Sequence, residues 1–268
     1  MASSKNILFL ITGTFLFLGC PDPVEDPDPP VAPIWVEKSQ PESFSEKGID
    51  AESRNRIVLM WHPNEEIDLA GYTIYRADNT LENDFVKRFK IDLIQNIGAD
   101  TAFYDDSVSN YVDYYYFITA FDNAGNESNE SDTLTYMLLN SPRLESPVNE
   151  NISSHFTFQW MDLATHFTYT SEYVIRMEYF ENGKYIPYWI CRFLNQWYGY
   201  ENTDPIPFDY FPRNSGSIPL NVLEVGGSEE YPQNGSYRWK IKAISEVDNA
   251  TNLDEASGES DWGFFEIQ

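Results

Sequence analysis

Four aromatic residues near the middle of the second half of the chain could bind a ligand through their ring faces. They are Trp189, Trp197, Tyr198 and Tyr200. Such rings can stack on the apolar C–H face of a pyranose, and their few side-chain torsions keep the ordering entropy small. They lie in or beside residues 190–218, a segment too aromatic for a solvated loop and too rich in proline for a strand. We expect one of two arrangements there. The rings form a platform that binds sugar, or they cover a sheet or seal a protein interface.

Residues suited to catalysis or metal binding form no recognisable motif. His62, His155 and His166 lack partners at zinc-site spacing, and the chain contains no GxSxG, P-loop or GxGxxG sequence. Acidic residues at 105–106 and 122–127 could suggest calcium, but neither group follows EF-hand spacing. We therefore expect no enzyme activity and no cofactor. Bound calcium stays open, as does a glycan hydrolase with two carboxyl groups that the sequence does not reveal.

Cys20 could carry a lipid. It follows an apolar run at residues 7–18, which is shorter than the ~20 residues that span a bilayer but typical of a secretory signal. The sequence Leu-Phe-Leu-Gly-Cys at 16–20 resembles a bacterial lipobox, with Phe17 where that motif usually has Leu. The resemblance implies a lipoprotein signal peptide at 1–19 and acylation of Cys20.

A Pro/Asp-rich tether at residues 20–33 follows the signal peptide. Residues 21–33 hold six prolines and four acidic residues. Because proline removes backbone donors and the acids repel one another, we predict a disordered, stiff spacer of roughly 40 Å, at about 3.1 Å per residue. Acidic residues directly after a lipidated cysteine resemble the surface-export signals of some Gram-negative lipoproteins. An outer-membrane lipoprotein exposed at the cell surface is therefore expected.

The charge of the chain excludes some partners. Its 268 residues include 17 Lys+Arg and 43 Asp+Glu, which gives a net charge of −26. A chain this acidic repels phosphate backbones, so we expect no nucleic-acid partner. It also repels an anionic bilayer surface, so contact with a membrane is expected only through the acyl anchor. The aromatic share of 16% is too high for a chain that stays disordered.

Short runs of alternating apolar residues, separated by Gly, Asn, Asp and Pro, predict an all-β fold. Four short sequence patterns each occur twice, in the same order, along the chain. The paired ranges are 57–61 and 156–160, 71–76 and 173–176, 114–120 and 237–243, and 130–132 and 259–261. This order indicates a duplicated unit with its seam near residues 140–142.

The first unit, residues 34–139, resembles a bacterial fibronectin type III domain. The resemblance rests on Trp61 in strand B, the Asp-Leu-Ala-Gly-Tyr-Thr-Ile-Tyr-Arg sequence at 68–76, and Tyr114 at the position of the tyrosine corner. The segment at 120–128 resembles the turn between the last two strands of that family.

The second unit, residues 140–268, is a weaker relative because it carries the aromatic-rich insertion at 190–218. Together the two units imply tandem immunoglobulin-like, fibronectin type III-like β-sandwiches behind the tether. The resemblance places six aromatic residues in the two structural cores: Trp61, Tyr72, Tyr114, Trp160, Tyr237 and Trp239.

These features predict a non-catalytic, lipid-anchored cell-envelope protein. Its two sandwiches are expected to bind or bridge an extracellular protein or glycan. Two alternatives remain: an accessory protein that captures polysaccharide through the aromatic insertion, and a glycan-active hydrolase. The fold does not identify the ligand, because one sandwich architecture serves many unrelated functions.

Overall fold

The computed structural model of the chain describes residues 28–78, 86–92, 101–163, 170–195, 206–208, 222–245 and 256–268. Within these ranges the chain forms seventeen β-strands and no α-helix. The all-β prediction is therefore confirmed. The same ranges contain no apolar helix of membrane-spanning length.

The first unit is a sandwich of two antiparallel sheets. Its strands are β1 Asp50–Glu52, β2 Arg56–Met60, β3 Leu69–Asp78, β4 Val86–Asp92, β5 Ala102–Asp105, β6 Asp113–Asp122 and β7 Leu134–Leu138. One sheet has the order β1-β2-β5, and the other has the order β4-β3-β6-β7. Inward residues of both sheets form one hydrophobic cluster, as the two-sheet prediction requires.

Aromatic side chains fill the space between these sheets. Trp61 is 1% exposed and Tyr72 is 0% exposed, and their rings meet edge to face with centroids 5.2 Å apart. The hydroxyl group of Tyr114 accepts a hydrogen bond from the backbone N–H of Ser109 at 2.8 Å. This bond to backbone a few residues upstream has the form of a tyrosine corner.

The second unit is also a two-sheet sandwich. Its strands are β8 Arg143–Ser146, β9 Glu150–Ile152, β10 Thr157–Met161, β11 Glu172–Glu181, β12 Lys184–Leu194, β13 Ile206–Pro207, β14 Val222–Gly227, β15 Gly235–Ser245, β16 Ala256–Glu259 and β17 Gly263–Ile267. One sheet has the order β8-β10-β13, and the other begins β14-β12-β11-β15. Strand β15 then pairs with β17 along its first half and with β16 along its last residues.

The core of the second unit repeats the features of the first. Trp160 meets Tyr173 edge to face with ring centroids 5.3 Å apart. The hydroxyl group of Tyr237 donates a hydrogen bond to the backbone oxygen of Gln233 at 3.0 Å, which forms a second tyrosine corner. Trp239 is fully buried between the sheets.

The segment predicted as an insertion at 190–218 contributes to this core. Residues up to Leu194 continue strand β12, and the ring of Phe193 is 0% exposed. Strand β13 pairs with β10, and the ring of Phe208 stacks on Phe156 with centroids 4.7 Å apart. The rings of Phe193 and Phe208 are therefore buried because they complete the inter-sheet packing.

Both units have the same backbone arrangement at their Glu-Ser-Asp triplets, which precede the last strand. Ser131 and Ile118 exchange two hydrogen bonds of 3.0 Å, one to the serine hydroxyl and one from its N–H. Ser260 and Ile241 make the same two bonds at 3.0 and 2.9 Å. In each unit the serine hydroxyl group replaces a carbonyl acceptor just before the last strand begins.

The two units share one continuous sheet. Strand β7 of the first unit pairs in parallel with β16 of the second, which places Leu138 beside Ser257. The N–H of Leu139 donates to the backbone oxygen of Ser257 at 2.9 Å. At Gly258, an added Cβ atom would lie 2.6 Å from the backbone oxygen of Asn140. Only a glycine therefore fits this close approach at the seam.

The last residues of the predicted tether lie against the first sandwich. The N–H of Val31 donates to Oε1 of Glu66 at 2.6 Å, and Nδ2 of Asn64 donates to the backbone oxygen of Val31 at 2.8 Å. Pro30 and Pro33 are buried. The end of the predicted tether thus contacts the first sandwich through Val31, and the disorder predicted for residues 20–33 stays a prediction.

Candidate functional site

Basic side chains occupy the outer face of the central strands in the second unit. Because successive strand residues point to opposite faces, Arg176 of β11 and Lys240 and Lys242 of β15 point away from the core. They are only 2%, 9% and 1% exposed. Arg176 lies directly opposite Lys240 in the register. Two like charges in this position destabilise a sheet unless an acidic group lies between them.

Glu46 of the first unit supplies that acidic group. One of its carboxylate oxygens lies 3.0 Å from Nη1 of Arg176, and the other lies 2.9 Å from Nζ of Lys240. The segment before β1 carries this glutamate across the seam. A single carboxylate therefore bridges two opposed cations of the other unit.

Two further acidic side chains complete the arrangement. Asp50 of β1 pairs with Nζ of Lys242, and Glu259 of β16 pairs with Nζ of Lys240. Asp50 is 2% exposed and Glu259 is 0% exposed. We call these six residues the ionic cluster: Glu46, Asp50, Arg176, Lys240, Lys242 and Glu259.

The pKa values of the two glutamates in the ionic cluster are shifted in opposite directions. Burial raises the pKa of Glu259 to about 8, and the negative charge of Glu46 adds to this rise. Burial acts in the same direction on Glu46, but the charges of Arg176, Lys242 and Lys240 outweigh it. They hold the pKa of Glu46 well below its usual 4.5. Glu46 is therefore ionised at neutral pH, whereas Glu259 is mostly protonated.

Residues 39–50, which we call the bridging segment, also make apolar contact across the seam. The ring of Phe44 packs against Val174, Ile190 and Ile244 of the second unit. It also covers Gly227, where an added Cβ atom would lie 3.0 Å from Cζ of Phe44. The bridging segment thus covers part of the outer sheet face with both a ring and charges.

Hydrogen bonds and a further ion pair extend this contact. Nε of Arg176 donates to the backbone oxygen of Ser43 at 3.1 Å. Nη1 of Arg192 lies 3.2 Å from a carboxylate oxygen of Glu42. Each charged group of the contact has a protein partner, so its chemistry is that of a structural joint between the units.

A groove lies beside this joint, with a volume of about 450 Å³. We call it the seam groove, and both units line it. The segments that line it include the turn between β1 and β2 of the first unit, the linker at 141–142, and the loop between β16 and β17 of the second unit. Its polar and aromatic lining includes Arg54, Asn55, Ser141, Arg143, Asp261 and Trp262. This volume is in the range of small-molecule sites.

Exposed aromatic residues continue the outer sheet face of the second unit beyond the bridging segment. Phe180 and Phe264 are 42% and 43% exposed. The ring of Tyr185 lies 5.0 Å from Phe180 and 5.8 Å from Phe264, between centroids. The guanidinium group of Arg238 lies 4.2 Å from the centre of the Tyr185 ring. This aromatic row leaves large ring surfaces open to solvent.

The structure corrects the prediction for one of the four candidate ligand-binding aromatics. Trp189 is 0% exposed and its ring stacks parallel to Phe158 at 6.1 Å. It belongs to the core and does not form a surface platform. Trp197, Tyr198 and Tyr200 lie outside the described residues, so their placement stays a prediction.

The other predicted site residues have clear positions where they are described. All six residues assigned to the structural cores are buried, with exposures from 0% to 4%: Trp61, Tyr72, Tyr114, Trp160, Tyr237 and Trp239. Cys20 lies outside the described residues. Cys191 is buried in the core, where burial raises the pKa of its thiol and so disfavours a nucleophilic thiolate.

The acidic groups considered for calcium are engaged by protein donors. One oxygen of Asp105 accepts hydrogen bonds from Arg76 at 2.6 Å and Tyr116 at 3.0 Å. Asp122 accepts two hydrogen bonds of 2.8 Å from Asn126, one from the backbone and one from the side chain. In the described ranges, no group of three His, Cys, Asp or Glu residues is placed to hold a metal ion.

The ionic cluster was not predicted from the sequence, although one signal for it exists. Arg238, Lys240 and Lys242 alternate along one strand, in a chain with only 17 Lys+Arg. Such alternation places all three on one sheet face, which is unusual for a face assumed to be solvated. The acidic partners carry no comparable signal because the chain has 43 Asp+Glu.

Comparison with known proteins finds similarity to solved structures only. No family model matches the chain. No curated protein matches it either. Among solved structures, the chain is similar to the crystal structure of the FN1–FN3 domains of chicken CNTN1, with a TM-score of 0.29 and 15% sequence identity. The match covers 90% of this chain and 67% of that chain.

Proposed function

We propose that this protein is a non-catalytic component of a bacterial cell envelope, anchored by a lipid on Cys20. Its two joined sandwiches bind or bridge a protein or glycan outside the membrane. The observation that carries the proposal is the joint between the units. A shared sheet, the ionic cluster and the bridging segment hold both units in one arrangement.

A fixed arrangement favours binding because less conformational freedom is lost when a partner docks. Two exposed surfaces support such a role: the seam groove and the aromatic row. Aromatic and arginine side chains are enriched at the centres of protein interfaces and carry much of their binding energy. The aromatic row combines both residue types around Arg238 and Tyr185.

Lipid attachment is tested by metabolic labelling with a radioactive fatty acid in a Gram-negative host. The parent chain should be labelled and recovered with the outer membrane. Cys20→Ala should abolish labelling and leave an uncleaved precursor, whereas Cys191→Ala serves as the matched control and should stay labelled. A Cys20→Ala chain that is labelled and membrane-bound like its parent would contradict the anchor.

Binding is tested by cross-linking intact cells and purifying the parent chain in detergent. A partner protein or glycan that co-purifies reproducibly supports the proposal. Cleavage of the chain by protease added to intact cells supports surface exposure. Recovery of the chain alone, protected from protease, would contradict a bridging role outside the membrane.

A further inference from the structure

Arg54 brings a positive charge into the seam groove. Its φ of 71° and the φ of 54° at Asn55 place both residues in the left-handed region, which non-glycine residues rarely adopt. Within the described part of the chain, the guanidinium group of Arg54 has no hydrogen bond or ion pair. Arg56, on the same hairpin, instead donates to Glu52 at 2.7 Å. The turn therefore presents Arg54, and not Arg56, to the groove.

Trp262 supplies an aromatic surface on the other side of the groove. The guanidinium group of Arg238 lies 4.0 Å from the centre of its ring, and Nζ of Lys240 lies 5.0 Å from it. Both cations project from the same face of β15, so they fix one face of the indole against the sheet. The ring also lines the seam groove, so its orientation is set before a ligand binds.

The planar polar side chains of Asn55 and Asp261 line the groove beside Arg54 and Trp262. Oδ1 of Asn55 accepts a hydrogen bond from the hydroxyl group of Ser141 at 2.8 Å. This bond orients the amide and leaves its two N–H donors for the groove. Asp261, next to Trp262, is exposed and adds carboxylate acceptors. The lining thus offers an apolar ring beside several paired donors and acceptors.

We infer that the seam groove binds a saccharide that carries a carboxylate group, such as a chain of uronic acid residues. This inference rests on the proposed binding function and names its ligand class. A pyranose presents an apolar C–H face to an indole, and its neighbouring hydroxyl groups match planar amide and carboxylate side chains. The carboxylate of the sugar pairs with Arg54 in the two-bond geometry that guanidinium groups favour.

Charge argues for an acidic sugar over a neutral one. The chain carries a net charge of −26, yet among the described residues two arginines, Arg54 and Arg143, line the groove beside a single carboxylate, Asp261. Arg143 lies 3.2 Å from Glu145 at the surface, which leaves Arg54 as the arginine of the groove without a protein partner in the described ranges. A sugar carboxylate supplies the missing partner.

Calorimetric titration of the full chain in detergent tests the inference. The acidic probes are short oligomers of galacturonate, of alginate and of hyaluronan, and the neutral probes are maltotriose and cellotriose. We expect saturable binding of at least one acidic probe, at least tenfold tighter than either neutral probe. Arg54→Gln should weaken it at least tenfold, and added salt should weaken it as well.

Matched variants separate the groove from general charge and from folding. Arg56→Gln removes the same charge from the same hairpin and should bind like the parent. Trp262→Ala should weaken binding at least tenfold, whereas Trp262→Tyr keeps a ring and should bind within a few-fold of the parent. The melting temperature of each variant shows whether it is folded.

Two results overturn the inference. One is the absence of binding to every acidic probe, and the other is binding that a folded Arg54→Gln chain retains in full. The proposed function survives either result if Cys20 is still lipidated and a partner still co-purifies. It fails separately if those two measurements fail, whatever the titration shows.

Discussion

In the first unit, the outer face of strands β3 and β6 carries Tyr75 opposite Phe117, and their rings stack with centroids 4.5 Å apart. At the same register positions of the second unit lie Arg176 and Lys240, also directly opposite each other. The inward residues next to them remain alike in both units. The two units therefore share the same kind of interior and differ on the outer face.

An acidic residue accompanies each of these pairs. In the first unit, Glu127 accepts a hydrogen bond from the hydroxyl group of Tyr75 at 2.9 Å, and it is exposed. In the second unit, Glu46 bridges Arg176 and Lys240 and comes from the other unit. One acid thus makes a local surface contact, whereas the other joins two domains.

The Glu-Ser-Asp triplets show the same divergence. Glu130 of the first triplet is exposed, whereas Glu259 of the second is 0% exposed. The serines of both triplets make equivalent bonds, so the backbone is the same at both positions. The environment differs because β16 lies against β7 and the first unit. Equivalent positions in the two units therefore share a backbone conformation. Contact with the other unit determines whether the side chain there is buried or exposed.

The largest expected effect tests whether the two interiors are equivalent. Trp61→Ala and Trp160→Ala should each reduce the free energy of unfolding by about 3–5 kcal/mol, because each leaves a large cavity in a packed core. Scanning calorimetry measures the loss of stability and shows whether the two units unfold in one transition or in two. A coupled pair of units should melt in one transition in both variants. Loss of only the mutated unit's transition would show that the joint does not couple the units.

The next effect tests whether the outer faces differ as described. Glu46→Ala leaves Arg176 and Lys240 buried and opposed, so it should reduce the free energy of unfolding by about 3 kcal/mol or more. The matched control is Glu127→Ala, which removes an exposed acid and should cost at most about 1 kcal/mol. Urea unfolding of both variants measures the two losses. Equal losses would contradict the distinction between the outer faces.

The smallest effect sharpens the contrast between Glu259 and Glu130. Between its usual pKa of 4.5 and its folded pKa of about 8, Glu259 is protonated in the folded chain and ionised in the unfolded one. Rising pH in this window therefore favours unfolding. Glu259→Gln should flatten this part of the pH dependence of stability, measured by urea unfolding at several pH values.

Glu130→Gln is the control for that measurement and should change stability by no more than about 0.5 kcal/mol at any pH. A parent chain whose stability does not fall between pH 4.5 and about 8 would contradict the burial of a protonated Glu259. Below pH 4.5 the depressed pKa of Glu46 acts with the opposite sign, because stability is lost as its carboxylate takes up a proton.

The interiors of the two units were predictable because strand alternation and aromatic landmarks determine them. Trp61 and Trp160 recur at equivalent places, and their burial follows from the two-sheet packing. Trp189 was misplaced because it was grouped with the aromatic-rich segment at 190–218. It lies in register with Cys191 and Phe193 on the inward face of β12, so strand alternation alone would have placed it in the core.

The joint was not predictable for a different reason. Glu46 and Phe44 lie in the bridging segment, which has no strand period and resembles a solvated loop in composition. Their partners are close only in the folded chain. Electrostatic pairing between distant residues leaves no pattern in a single sequence that already contains 43 acidic residues.

The contacts of the bridging segment also have a consequence for the order in which the chain folds. Glu46 and Lys240 are 194 residues apart, so synthesis from the N-terminus completes the first core long before β15 exists. Until then β7 presents an uncovered strand edge, which can pair with other chains. Docking of β16 covers that edge in the same step that neutralises the bridging segment. Strand β16, which is made after β7, thus protects the first unit from aggregation.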